Sequence, residues 1–169
     1  MDCGLLYEGN PVTRVQGLEH LEGLEVEILA DGAAHLPKTV RGGRVELDKA
    51  ASRVLVGLGY SWALSPMRLE GLSSRGSMQG KKARILDVMV RLYKSLGVAW
   101  QRSDHTEAPY PLANRDVEMP MDAAPLPFTG DTIMSMPLGW SPDTRVRLSG
   151  KGAFPATIIM MAPKVAMNE

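Results

Sequence analysis

Val26-Glu-Ile-Leu-Ala-Asp-Gly32, followed by Thr39-Val-Arg-Gly-Gly-Arg-Val-Glu-Leu-Asp48, is the stretch on which the fold turns. The apolar runs are short and rich in Val, Ile and Leu, and Asp31-Gly32 readily adopts the positive φ values of a tight hairpin turn. After Gly42-Gly43, Val45 and Leu47 alternate with Arg44, Glu46 and Asp48, the period of a strand with one buried face. Two consecutive hairpins, a β-meander, are expected here.

Outward from this stretch the same pattern continues. Arg53-Val-Leu-Val-Gly-Leu58 reads as a buried strand, and Tyr60, Trp62 and Leu64 alternate until Pro66 ends the element or places it at an edge. On the N-terminal side, Leu18 and Leu21 pack inward from a one-turn helical lead-in around His20. Leu69 to Gly80 reads as a surface loop. Lys81 to Leu96 fits both a strand and a helix; the reading taken is a strand from Leu86 to Tyr93, entered through a helical turn over Lys81 to Ile85. From Gln101 to Thr129 the pattern stops, and prolines 109, 111, 120, 125 and 127 mark an extended arm. Arg145 to Ser149 and Ala156 to Met161 are the last two strands, with turn residues Gly150 to Gly152 between them.

Seventeen glycines and twelve prolines leave few windows long enough for a helix. The expected fold class is therefore mainly β: a small β-barrel or sandwich built from a meander of hairpins, with a long Pro-rich loop and little helix. The expected organisation is a core over 1–97, an arm over 98–130, and strands over 131–169 that complete the same domain.

Composition bounds the function classes. The chain has 169 residues, 44% hydrophobic and 22% charged, within the range of ordinary globular proteins. Nineteen basic residues balance nineteen acidic ones, which argues against nucleic acid as the main partner. Cys3 is the only cysteine, so no intrachain disulfide can form. The longest apolar stretch, Phe154 to Pro163, is far below the roughly 20 residues that cross a bilayer. The N-terminus has no basic region ahead of an apolar run, so neither a signal peptide nor membrane insertion is expected.

Candidate chemistry is sparse. His20 lies between acids in Leu-Glu-His-Leu-Glu, His35 falls in a hairpin strand, and His105 stands in Ser-Asp-His-Thr-Glu without a partner cluster at metal-ligand spacing. Each reads as structural or solvated. No nucleophile elbow or phosphate loop is present, and Phe128-Thr-Gly-Asp131 reads as a turn closing the arm onto the sheet. Glu25 and Glu27 share a strand face, the pattern of a solvated side. No catalytic, cofactor-binding or metal residues are assigned, and an enzyme is not expected. Lys81, Lys82 and Arg84 form the densest basic spot, read as a solvated strand end or an intersubunit ion pair. Trp62, Trp100 and Trp140 read as core or interface packing.

The residues also resemble a known family. Asp2-Cys-Gly-Leu-Leu-Tyr-Glu-Gly-Asn-Pro11, Gly17-Leu-Glu-His-Leu-Glu-Gly23, Leu29-Ala-Asp-Gly32 and Val40-Arg-Gly-Gly-Arg-Val-Glu-Leu47 open the series. Ala51-Ser-Arg-Val-Leu-Val-Gly-Leu58 with Tyr60, Gln79-Gly-Lys-Lys82 and Val90-Arg-Leu-Tyr93 continue it. Phe128-Thr-Gly-Asp131, Gly139-Trp140 and Pro155-Ala-Thr-Ile-Ile-Met-Met-Ala-Pro163 close it. In order and spacing these resemble the C-terminal region of tail nozzle proteins (tail tubular protein B) of short-tailed phages and prophages, except over Ser95 to Ala124. Cys3 departs from the serine usual in that family.

The resemblance implies a virion structural module of the phage tail, synthesised in the bacterial cytoplasm. Its implied partners are other copies of itself in a ring, neighbouring tail proteins, and DNA passing transiently through the lumen, which the basic spot of Lys81, Lys82 and Arg84 would then face. A binding module for a host-surface glycan or protein, built on the same scaffold, is the alternative class; it would expose Trp62, Trp100 or Trp140 along a groove.

Overall fold

The computed structural model describes residues 1–68, 72–73, 76–77, 80–102, 108–112, 124–135, 139–143 and 145–167. The chain is mainly β. Its strands in order are β1 (Asp2–Gln16), β2 (Glu25–Ala30), β3 (Ala33–Thr39), β4 (Arg44–Leu58), β5 (Tyr60–Leu64), β6 (Leu72–Ser73), β7 (Gly76–Ser77) and β8 (Ala83–Ser95). Then come β9 (Ala99–Arg102), β10 (Tyr110–Pro111), β11 (Phe128–Ser135), β12 (Val146–Gly152) and β13 (Ile158–Met167). A 3-10 turn over Glu19–Leu21 is the one helical element among the described residues.

Two compact units emerge. The first comprises Met1–Ser61, Asn114–Pro127 and Lys151–Pro155; the second comprises Trp62–Ala113, Phe128–Gly150 and Ala156–Glu169. This division and the linear one expected above (1–97, 98–130, 131–169) draw their lines at different residues.

The first unit holds an antiparallel sheet of order β1-β4-β2-β3. β2 and β3 form the expected hairpin, with φ of 47° at Asp31 and 85° at Gly32, the two positive values a tight primed turn requires. The Asp31 carboxylate accepts the Arg53 N–H at 2.8 Å and the Ser52 N–H at 3.2 Å, which ties this turn to β4. The second expected hairpin does not form. β4 pairs with β2 and β1, on the far side of β2 from β3.

Two features redirect the chain. Val40 exchanges backbone bonds with Gly23 and Leu24, and the Glu22 carboxylate accepts the N–H groups of Gly42 (2.8 Å) and Gly43 (2.7 Å). Between two neighbours, β4 buries Val54 and Val56 completely in the core of this unit. Leu18 and Leu21 of the helical lead-in are buried with them, as expected. Each fully buried aliphatic side chain of this kind stabilises by roughly 1.5–3 kcal/mol relative to exposure.

β1 was not foreseen. Its Gly9-Asn10-Pro11 looks like a break, but it falls where the β1–β4 register shifts between Glu8 and Val12, so the strand bends and continues.

The second unit packs two antiparallel sheets over one core. Order β11-β8-β13 supplies Val88, Val90, Leu92 and Met134; order β10-β9-β12-β5 supplies Val146 and Leu148, with Trp62 and Trp100 packed against them. This is a sandwich arrangement, and none of the sheets closes into a barrel among the described residues.

β8 runs from Ala83, so the helical turn expected over Lys81 to Ile85 is absent. The Ala83 N–H and C=O are both bonded to Ser141 (2.9 and 3.0 Å), and Ile85 pairs with Val165 of β13. A helical turn would forfeit those ladder bonds. β9 and β10 pair within the expected arm, Trp100 opposite Tyr110, while 103–107 and 113–123 lie outside the described residues.

Proline placement is systematic. Pro11, Pro37, Pro111 and Pro163 lie within β1, β3, β10 and β13, all edge strands, and the central strands β2, β4, β8, β9 and β12 have none. Proline has no N–H for a ladder and is tolerated where that side faces away from the sheet.

Gly150 of β12 underlies the Trp62 indole, where an added Cβ would stand 2.6 Å from Nε1. Gly150→Ala is therefore expected to displace the ring. The expected result is a destabilisation of about 1–3 kcal/mol and a red-shifted tryptophan emission, both measurable in a urea titration followed by fluorescence.

Candidate functional surfaces

The histidines bind backbone. His20, in the 3-10 turn, lies with Nε2 3.0 Å from the Cys3 carbonyl oxygen and donates to it. The His35 Nδ1 donates to the Leu36 carbonyl at 2.9 Å, and its Nε2 faces Asp48, 3.1 Å from both the backbone nitrogen and a carboxylate oxygen. Lys38 holds the other Asp48 oxygen at 2.6 Å. His105 lies outside the described residues. No three His, Cys, Asp or Glu side chains converge among the described residues. Cys3 is exposed, with its backbone at φ 51°.

The basic spot divides. Lys81 and Lys82 precede β8; Lys82 is exposed and Lys81 half-buried. Arg84 is on β8 opposite Ala166, one residue before the buried Ile85, so alternation turns it away from the core. Its Nε is buried without a hydrogen-bond partner among the described residues. Glu25 is exposed as expected, whereas Glu27 is half-buried, its carboxyl packed against Gly59 and Gly152.

Trp62 and Trp100 are half-buried against the core, as expected, and Trp100 stacks on Tyr110 with centroids 4.9 Å apart. Trp140 is 44% exposed, so of the three tryptophans it alone presents a largely open ring.

A surface that the sequence reading missed lies on the face of β11-β8-β13 turned away from the core. Cross-strand pairing sets three rows there: Asp131–Arg91–Met160, Ile133–Met89–Ala162 and Ser135–Asp87–Lys164. Arg91 grips Asp131 through two bonds of 2.6 and 2.8 Å. Phe128-Thr-Gly-Asp131, expected as a turn, is thus the start of a strand. Its signal was the alternation of Thr132 and Met134 with Asp131, Ile133 and Ser135, hidden beside the proline-marked arm.

The Arg91 hydrogen bonds hold the Asp131 carboxyl below the usual aspartate range. A carboxylate depressed in the folded state contributes stability above the ordinary aspartate pKa and loses it as pH falls through the lowered one. A carbon-detected NMR titration of Asp131 is expected to show a midpoint below that of free aspartate, moving up in Arg91→Ala. Identical midpoints in the two proteins would refute this coupling. Compared with known proteins, the chain matches no family model and no curated protein.

Proposed function

We propose that this chain is a structural module of a phage tail, of the nozzle or tail-tube kind, acting by assembly and not by catalysis. One observation carries the reading: the residues that resemble nozzle proteins sit on the framework of the fold. Asp2–Pro11 lies in β1, Ala51–Leu58 in β4, Val90–Tyr93 in β8, and Phe128–Asp131 opens β11. Pro155–Pro163 leads into β13, and Leu29–Gly32 makes the first hairpin turn. Resembling residues that build the strands suit a protein whose work is shape.

Open sheet edges support self-association, because an edge presents unpaired backbone groups to another chain. Neighbouring tail proteins are the further partners, and of the basic spot Lys81, Lys82 and Arg84 the exposed Lys82 is the charge offered to passing DNA. Recognition of a host-surface glycan is the second reading; the exposed Trp140 ring favours it.

Light scattering of the purified chain across a concentration series tests the proposal. A discrete oligomer of fixed size is the expected result. A monomer at every concentration would refute self-association by this chain and favour the binding module.

A further inference from the structure

Six strands edge the three larger sheets, and four of them carry a proline that blunts the edge; β5 and β11 do not. β11 also carries Ile133, 70% exposed, at the end of the apolar row that runs through Met89 to Ala162. Among the described residues no strand pairs with the outer edge of β11, and such an edge with an exposed β-branched residue is a template for another strand.

We propose that two copies of this chain pair through β11, antiparallel about a two-fold axis, with Ile133 opposite Ile133 of the second copy. The charges select this register. Centred on Asp131, the pair would set two carboxylates face to face, which is destabilising. Centred on Thr132, it would set Ile133 against the Asp131–Arg91 ion pair.

Centred on Ile133, it sets Asp131 opposite Ser135 and Thr132 opposite Met134. The outer face then carries one apolar stripe across six strands, Ala162–Met89–Ile133 meeting its own mirror. Beside the stripe runs Met160–Arg91–Asp131 against Ser135–Asp87–Lys164, where a serine separates the acids and each acid neighbours a base of its own copy. Such a contact is self-complementary and closes at two copies, so it differs from the head-to-tail contact a ring requires. It rests on the self-association reading above for the identity of its partner.

Cysteine cross-linking in a Cys3→Ser background tests the register. Directly opposed residues bring their Cα atoms to about 4.5–5.5 Å, within the disulfide range of about 4.4–6.8 Å. Ile133→Cys is therefore expected to give a covalent dimer on mild oxidation. Ser135→Cys is expected to give none, because its two copies would stand four residues apart, about 14 Å at 3.4 Å per residue. Ile133→Lys is expected to weaken dimerisation at least tenfold by light scattering. Ile133 is exposed, so circular dichroism of each variant should match the parent.

Equal cross-linking at 133 and 135 would overturn the register. A discrete oligomer indifferent to Ile133→Lys would overturn the β11 contact while leaving self-association standing. A monomeric parent chain would overturn both.

Discussion

A proline nitrogen has no hydrogen to give to a neighbouring strand, and this absence sorts the strands of the protein. In the three larger sheets every strand that carries a proline lies at an edge, and every middle strand, bonded on both sides, is free of it. β4 and β8 carry fully sealed valines, Val54 and Val56 in one unit and Val88 and Val90 in the other, on the face each turns to its core. Twelve prolines in 169 residues are thus compatible with a mainly β fold, and among the described residues none stands in a central strand.

What was legible in the sequence was local. Asp31-Gly32 specifies its turn through the backbone freedom of two adjacent residues, and the alternation of Val45 and Leu47 specifies which face is buried. Partner choice was not legible. Gly42-Gly43 signals a reversal, yet β4 pairs with β1 and β2, and the choice of partner is a property of the assembled sheet. Gly9-Asn10-Pro11 reads as a terminator until a partner strand exists to absorb it as a bend. The β11 surface stayed hidden for the same reason: Asp131 owes its place to Arg91, forty residues earlier. Trp62, Trp100 and the first two histidines were easier, since a bulky ring beside apolar neighbours and an imidazole near carbonyls have ordinary packing roles.

Acids act here as fasteners between distant segments. Glu22 holds the Gly42–Gly43 reversal, Asp31 grips the middle of β4, Asp48 draws in His35 and Lys38 from β3, and Asp131 clasps β8. For Glu22 the bonds from Gly43 and Gly42 lower the carboxyl pKa, and for Asp48 the chief cause of the same direction is the Lys38 bond. A chain of zero formal charge can therefore use its carboxylates internally without building a one-signed field over its surface.

The central place of β8 has a consequence for synthesis on the ribosome. All four strands of the first sheet are complete once Leu58 has emerged, so that sheet can close early. β8 emerges soon afterwards, but its two partners come from Phe128–Ser135 and Ile158–Met167, near the end of the chain. At ribosomal rates of roughly 5–20 residues per second, the run Ile85 to Leu92 stays without its sheet for several seconds. That interval is when a nascent chain of this kind is most exposed to association with the wrong neighbour, and it ends only once β13 has emerged.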